Sequence, residues 1–188
     1  MRWRVIVGCY LVLLSAALRA DVLETLAARE GMAGQFTQEI ISPEGEMLER
    51  SNGNFALLRP HFFRWEILAP DSQLLLANGD QLTQIDWDLE VVVERPIVET
   101  ASSPLQWLLA PRATLDSAFD ISLADDSAVL IPVDLQSPYQ RLDIALISKT
   151  VWRLDAEERG GQVLRVELRE NIDRPPQIAD FVAPLTPF

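Results

Sequence analysis

The sequence is poor in the residue types on which thiol, metal and nucleic-acid chemistry depend. Its 188 residues include one Cys, one His and a single lysine, Lys149, beside 15 Arg. Zinc sites draw on several Cys or His ligands, and a Ser-His-Asp triad would rest on His61 alone, with no Gly-x-Ser-x-Gly elbow to partner it. Lys plus Arg number 16 against 28 Asp plus Glu, a net charge of −12. These shortages argue against zinc and thiol chemistry and against general binding to nucleic acids or anionic membranes.

The remaining composition is that of an ordinary globular chain. Hydrophobic residues make up 48% and charged residues 23% of the sequence, with 8 Gly and 12 Pro. No internal repeat, low-complexity tract or Gly/Ser linker marks a boundary. We therefore expect a single domain over residues 21–188.

The first twenty residues have the three parts of a secretory signal peptide. Arg2 and Arg4 form a basic start, residues 5–14 are apolar, and small residues lead to Ala20. The apolar run is shorter than the roughly 20 residues that a membrane span needs. We expect cleavage after Ala20, with Ala17 as the alternative, which leaves 13 basic residues against 28 acidic ones, or −15. In a second interpretation the segment is a lipoprotein signal, and Cys9 carries the lipid that anchors the protein. Against it, few residues precede Cys9 and the apolar run continues past it.

Most of the mature chain has the two-residue period of β-strands. A short amphipathic helix is predicted at 21–30, with Asp21 as its N-cap, and about ten or eleven short strands follow it. Asn78-Gly79 is a strong hairpin signal. Residues 103–110 interrupt the strands as a short apolar helix, with Ser103 as its cap and Pro111 at its end. The pattern predicts an antiparallel, mainly β fold with short helices.

Apolar side chains recur on the predicted strand and helix faces. For most of them, filling a core is the simplest interpretation. A sheet this long either closes tightly on itself or stays open and curved, with an apolar concave face that the helices cover. Such a concave face suits acyl chains. The candidate lining residues are Phe36, Phe55, Phe63, Trp65, Leu74, Leu76, Trp87, Val91, Val93, Leu105, Trp107, Leu108, Leu142 and Ile144.

Acidic residues cluster in the predicted turn at residues 86–90, where a metal or catalytic site is one interpretation. Asp86, Asp88 and Glu90 form an Asp-x-Asp-x-Glu pattern that oxygen-binding calcium ions favour. It lacks the glycine and closing glutamate of a helix-loop-helix calcium site, so a solvated hairpin turn is the better interpretation. Paired carboxylates also serve glycoside hydrolysis, but the sequence distinguishes no pair.

An ordered set of motifs resembles the periplasmic outer-membrane lipoprotein carrier family, LolA. Residues 58–66 read Leu-Arg-Pro-His-Phe-Phe-Arg-Trp-Glu and match the family's Arg-Pro-x-x-Phe-x-Trp core. Pro70-Asp71 matches its Pro-Asp step, 75–80 its x-Gly-x hairpin, and 86–90 its aromatic-acidic turn. Further matches in order are Phe36-Thr37-Gln38, Gly53 and Ser103-Pro104-Leu105.

The resemblance implies an unclosed antiparallel β-barrel whose apolar concave face is covered by a helical lid. It implies a periplasmic, monomeric carrier of acylated lipoproteins, without enzymatic activity or cofactor. The implied partners are an inner-membrane ABC exporter complex and an outer-membrane lipoprotein receptor. Arg59 matches the family arginine that hydrogen-bonds the lid backbone, while Phe63 and Trp65 match the aromatic residues of the motif. A guanidinium suits this role because its five donors reach several carbonyls at once; the simpler alternative is a salt bridge at a strand end.

Two departures from the family pattern keep other functions open. The carboxy-terminal Phe-x-Phe-x-Pro-Pro is reduced here to Phe181-Val182-Ala183-Pro184, and the chain is unusually acidic. A carrier of the same fold for a glycolipid or another acyl lipid is therefore the first alternative. A glycoside hydrolase on a β-sandwich, with Asp86 and Asp88 as candidate carboxylates, is the second.

Overall fold

The computed structural model describes residues 20–79, 81–96 and 104–184. Within these residues there are two α-helices, α1 (Val22–Ala27) and α2 (Arg112–Ala118), and two 3₁₀ helices, which cover Pro104–Leu108 and Ile178–Phe181. The strands are β1 (Gly31–Ile41), β2 (Met47–Leu58), β3 (Phe62–Ala69), β4 (Gln73–Asn78), β5 (Gln81–Asp86), β6 (Val91–Pro96), β7 (Phe119–Ala124), β8 (Ser127–Pro132), β9 (Tyr139–Ser148), β10 (Val151–Glu158) and β11 (Val163–Glu170).

All eleven strands belong to one antiparallel sheet. Its order is β6-β5-β4-β3-β2-β1-β11-β10-β9-β8-β7, so the first and last strands of the chain pair at the centre. Within the described residues β6 and β7 pair with one neighbour each, which makes them the two edges of an unclosed barrel. The predicted fold class is confirmed, including the hairpin at Asn78-Gly79, where Gly79 has a φ of 66°.

The helices differ in part from the sequence prediction. Asp21 caps α1 as expected, because its Oδ1 accepts hydrogen bonds from the backbone N–H groups of Leu23 and Glu24, both at 2.9 Å. The predicted apolar helix after residue 103 is a 3₁₀ helix, and Ser103 lies outside the described residues. Pro111 also stands at the N-cap of α2, a helix that the sequence analysis did not predict. Within the described residues, no helix has the length and apolar character that a membrane crossing demands.

Period-two alternation gives the sheet two different faces. We call the face that carries Phe36, Phe55 and Trp65 the lid face, because α1, α2 and the Pro104–Leu108 helix, together called the lid, pack against it. Gly53 permits close packing there: a Cβ atom at this position would lie 1.8 Å from the Glu66 carbonyl oxygen and 2.9 Å from the Phe36 ring. The β2–β3 register shifts at the same place, between Asn52 and Gly53.

The opposite, outer face carries a smaller apolar cluster beneath residues 171–182, which we call the C-terminal strap. Phe181 is fully buried against this face, and its carbonyl accepts a hydrogen bond from the Asn78 side chain at 3.1 Å. At the start of the strap, the Asn171 N–H donates to the Ala33 carbonyl at 2.8 Å. The buried members of the cluster are Ala56, Leu74, Leu76, Ile85 and Phe181. The strap thus extends the sheet's packing onto its second side.

Candidate functional site

Aromatic side chains form a continuous row across the lid face of β1, β2 and β3. Phe36 stacks on Trp65 with ring centroids 3.7 Å apart, and the Phe63 and Trp65 rings are nearly parallel at 6.0 Å. Phe55 is on β2, between the strands of Phe36 and Trp65, and its ring centroid lies 6.3 Å from that of Trp65. All four side chains are buried. Their position in one row follows from register, because Phe55 is paired with Trp65 and Phe36 with Gly53.

The lid and the far half of the sheet complete this apolar layer. Leu142 and Ile144 on β9 belong to the same cluster as the aromatic row. Leu105 and Leu108 enter it from the 3₁₀ helix, and Trp107 packs beside them with its ring edge against Phe119 at 4.8 Å. The structure therefore brings together these predicted residues: Phe36, Phe55, Phe63, Trp65, Leu105, Trp107, Leu108, Leu142 and Ile144.

Five predicted lining residues lie elsewhere. Leu74 and Leu76 pack on the outer face under Phe181, while Leu75, the partner of Trp65, faces the lid. Three consecutive leucines carry no period-two signal, so the sequence could not show which of them points inwards. Trp87 is partly buried against the same outer cluster.

Val91 and Val93 are the other two residues outside the packed layer. Register places them on the lid face, opposite Asp86 and Gln84, but their side chains are 43% and 42% exposed. The reason is the position of β6 at the edge of the sheet, beyond the part that the lid covers.

Several residues of the apolar layer were missed as site candidates. Val166 and Leu168 on β11 line its centre, and the clean alternation of that strand was the available signal. Leu115 comes from the unpredicted helix α2. Val22, Leu23 and Leu26 form the buried side of α1, and helical spacing identified that side without showing what it covers.

Arg59 joins the two parts of the lid through hydrogen bonds to backbone carbonyls. It follows β2, and its side chain is partly buried between α1 and the 3₁₀ helix. Nε donates to the carbonyl of Arg29 at 3.0 Å, and Nη2 donates to Leu26 at 3.2 Å and to Leu108 at 2.9 Å. Nη1 donates to the carbonyls of Leu109 and Ala110.

The acceptors of Arg59 lie at the ends of two short helices or just past them. The last carbonyls of a helix have no intrahelical donor and carry the negative end of the helix dipole. One guanidinium therefore satisfies the ends of two short helices at once. Burial lowers the pKa of Arg59 from its usual value.

Ion pairs also stabilise the lid. The Asp21 carboxylate at the start of α1 is 2.8 Å from Nη1 of Arg112 on α2, and Arg112 also binds Asp116 at 2.8 Å. Burial opposes ionisation of Asp21, but the Arg112 guanidinium and the α1 N–H groups outweigh it and lower the pKa of Asp21 below 3.8. At the other end of α1, Arg29 lies 3.4 Å from the buried carboxylate of Glu170.

The lid fits closely where Arg59 holds it. The space left there, between Met32, Leu57 and Leu108, has a volume of about 10 Å³. This is at the lower limit for a single water molecule. An acyl chain would therefore have to move the lid in order to reach this part of the apolar face.

A much larger cavity of about 870 Å³ lies on the outer face, beneath the C-terminal strap. Charged side chains contribute much of its lining. Arg64 pairs with Glu66 at 3.1 Å and Arg174 with Asp180 at 3.1 Å, so these charges are already neutralised within the wall. Despite its size, this polar cavity is less suited to hydrocarbon chains than the lid face.

The acidic turn before β6 has structural partners. Asp86 accepts a hydrogen bond from the Leu89 N–H at 3.0 Å and from Gln73 Nε2 at 3.0 Å. Asp88 accepts one from the Ser72 N–H at 2.8 Å. These contacts favour the hairpin-turn interpretation over a calcium or catalytic site. Among the described residues, no group of three or more His, Cys, Asp or Glu has a metal-binding arrangement.

Comparisons with known proteins agree with this geometry. The family model described as outer membrane lipoprotein carrier protein LolA matches residues 27–181, which include Arg59 and the aromatic row. A Bordetella avium protein named outer-membrane lipoprotein carrier protein is 30% identical over 164 residues, covering 84% of this chain and 78% of its own. Proteins of the same name from Vibrio cholerae and Alkalilimnicola ehrlichii are 32% and 29% identical. The first match covers 72% of this chain and 69% of its own, and the second 89% and 84%.

Proposed function

Because the chain belongs to the outer-membrane lipoprotein carrier family LolA, we propose that it carries lipoproteins across the periplasm. Residues 1–20 would be removed on export, and the mature protein would act as a monomer. It would accept acyl chains released at the inner membrane by an ABC exporter complex and deliver them to an outer-membrane receptor. The observation that carries this proposal is the apolar layer whose cover is held by Arg59.

The energetics of exchange are plausible for this geometry. Burial of each methylene group contributes about 0.8 kcal/mol, so a chain of roughly ten methylenes gains about 8 kcal/mol. Opening the lid costs the hydrogen bonds of Arg59, at about 1 kcal/mol each, because water replaces them. It also exposes apolar surface that the acyl chain covers again. Cargo binding can therefore displace the lid while the sheet keeps its strand pairing.

In this mechanism the residues have distinct tasks. Phe36, Phe63 and Trp65 offer a flat apolar surface to the acyl chain. Arg59 stabilises the empty, closed state and so favours release of cargo to the receptor. No bond is made or broken in the cargo, and the mechanism needs no cofactor.

The test is a reconstituted transfer assay with a triacylated lipoprotein. We expect Arg59→Leu to bind cargo but to release it to the receptor at least about tenfold more slowly, since the closed state loses about 1.4 kcal/mol or more. Arg50→Leu, a change at an exposed position of β2, the strand that Arg59 follows, is the matched control and should transfer normally. Transfer by Arg59→Leu at the wild-type rate would contradict the mechanism.

A glycolipid or another acyl lipid remains the second candidate cargo. It is favoured by the carboxy terminus, where Phe181 is committed to the outer face and the family's terminal motif is shortened. Native mass spectrometry of protein purified gently from periplasm separates the two cargoes. Bound lipopeptide or acylated protein supports the lipoprotein carrier, and a bound small lipid supports the alternative.

A further inference from the structure

Strand β6 combines exposed valines with an edge to which no other described strand is paired. Val91, Val92 and Val93 are 43%, 41% and 42% exposed. Val91 and Val93 lie on the lid face and Val92 on the outer face, so the strand is apolar on both sides. The described residues supply only β5 as a neighbour, and alternate N–H and C=O groups of an edge strand point away from that neighbour.

The other edge of the sheet is protected in a way that β6 is not. Strand β7 carries Asp120 and Ser122 on its outer face and begins directly after α2, which packs against it. Charges and covering elements are the usual means by which proteins prevent unwanted pairing at an edge. In β6 three valines come first, and the residues that discourage pairing, Glu94, Arg95 and Pro96, follow only at its end. An apolar edge of this kind is typical of a surface that pairs with another chain.

The charge around β6 indicates the chemistry of that partner. Asp86, Asp88, Glu90 and Glu94 lie in β5, the turn and β6, and within the described residues none of them forms an ion pair with Lys or Arg. Glu94 accepts a hydrogen bond from Gln81 at 3.0 Å, and it lies on the outer face beside Val92. A partner strand with basic side chains would find complementary charge there. A second copy of β6 would bring the same carboxylates together, which opposes self-pairing.

We propose that β6 is a docking edge, to which a partner protein adds an extended segment that alternates apolar and basic side chains. Main-chain hydrogen bonds to the free edge would supply affinity, and contacts with the valines and carboxylates would supply selectivity. This goes beyond the proposed function, because strand addition at β6 does not depend on the nature of the cargo or on movement of the lid.

The test uses a labelled synthetic peptide of about eight residues in which valine alternates with lysine, a length that spans the strand. We expect binding that weakens as salt is raised, because the attraction involves exposed charges. Hydrogen exchange should slow at residues 91–96 and stay unchanged at β7. Glu94→Gln should weaken binding, whereas Ser122→Ala on the opposite edge should not.

Two control peptides separate strand addition from simple charge attraction. Methylation of alternate backbone nitrogens, on the edge of the peptide that faces β6, keeps its charge and removes its donors, so binding should fall at least about tenfold. Replacement of its lysines by glutamates should have an effect of similar size. Equal binding of the methylated peptide, or protection of another strand in place of β6, would overturn the proposal. Concentration-dependent dimerisation that protects 91–96 without peptide would also overturn it, by identifying a second copy as the occupant.

Discussion

The two faces of the sheet are both covered by short helical segments, but the covers are attached by different means. On the outer face the strap is fixed by Phe181, a fully buried aromatic side chain in an apolar cluster. On the lid face, Arg59 attaches the helices through hydrogen bonds to the carbonyls at their ends. The strap is anchored by that one ring, whereas the lid combines the burial of apolar side chains such as Leu26 and Leu108 with the hydrogen bonds of Arg59, here called the latch, which water can replace.

This difference bears on which cover can open. A buried aromatic ring has no substitute partner in water, so lifting the strap exposes apolar surface without compensation. Helix-end carbonyls and a guanidinium are well solvated when they separate, so opening the lid loses less at the latch itself. The apolar surface of the lid face can then be covered by a hydrocarbon chain. We therefore expect a permanent cover on the outer face and an exchangeable one on the lid face.

The largest effect is expected from removing the anchor of the strap. Phe181→Ala should lower the free energy of unfolding by about 3–5 kcal/mol, the usual range for a large buried aromatic residue. Urea denaturation followed by tryptophan fluorescence measures this change. The neighbouring exposed residue offers a control, and Val182→Ala should change stability by no more than about 0.5 kcal/mol. Similar effects of the two substitutions would mean that Phe181 is not an anchor.

A smaller and more local effect is expected at the latch. Arg59→Leu should lower the free energy of unfolding by about 2 kcal/mol, less than Phe181→Ala, because water replaces the lost donors. Amide hydrogens of α1 and α2 should exchange faster than in the wild type, while those of β1 and β11 should not. Hydrogen exchange resolved by segment provides the measurement. Uniform acceleration across the sheet would show that Arg59 stabilises the whole fold and not the lid alone.

The contact between α1 and α2 gives a still smaller effect. Asp21→Ala removes both the cap of α1 and the ion pair with Arg112, and should cost about 1 kcal/mol of unfolding free energy. Asp116→Ala removes the more exposed partner of Arg112 and should cost less than about 0.5 kcal/mol. Equal losses in the two variants would mean that the α1 cap contributes little.

The smallest effect is a pH dependence confined to the lid. Because the pKa of Asp21 is lower in the folded than in the unfolded protein, its contribution to stability is complete above 3.8 and is lost as the pH falls below that value. Hydrogen exchange of α1 measured on either side of this pH, corrected for intrinsic rates, reports the change. Asp21→Asn should flatten this dependence. If the variant retains the full wild-type dependence, another group is responsible.

The sequence predicted the strands and the class of fold because alternation and turn residues act locally. The Asn78-Gly79 hairpin and the Asp21 cap are of this kind, since each depends on a few neighbouring residues. The same alternation predicted which residues of β3 and β9 share a face. Helix α2 escaped prediction because seven residues between Pro111 and a strand carry little periodic signal.

The arrangement of the site depends on long-range contacts, and these were harder to predict. Leu74 and Leu76 are apolar and buried, as expected, but they belong to the outer face because the strap returns to cover them. No local pattern shows that residues near 181 pack on β4. The placement of Arg59 near the lid came from resemblance to a family. The number of its carbonyl acceptors became visible only with α1 and the 3₁₀ helix in place.

The central claim, that the lid is the exchangeable cover of a lipid-binding face, is most directly tested by hydrogen exchange on addition of a triacylated lipopeptide. The account predicts faster exchange in α1 and α2 when lipopeptide is bound, with unchanged exchange in the strap around Phe181. Binding that leaves the lid amides unchanged, or that accelerates exchange in the strap, would contradict it.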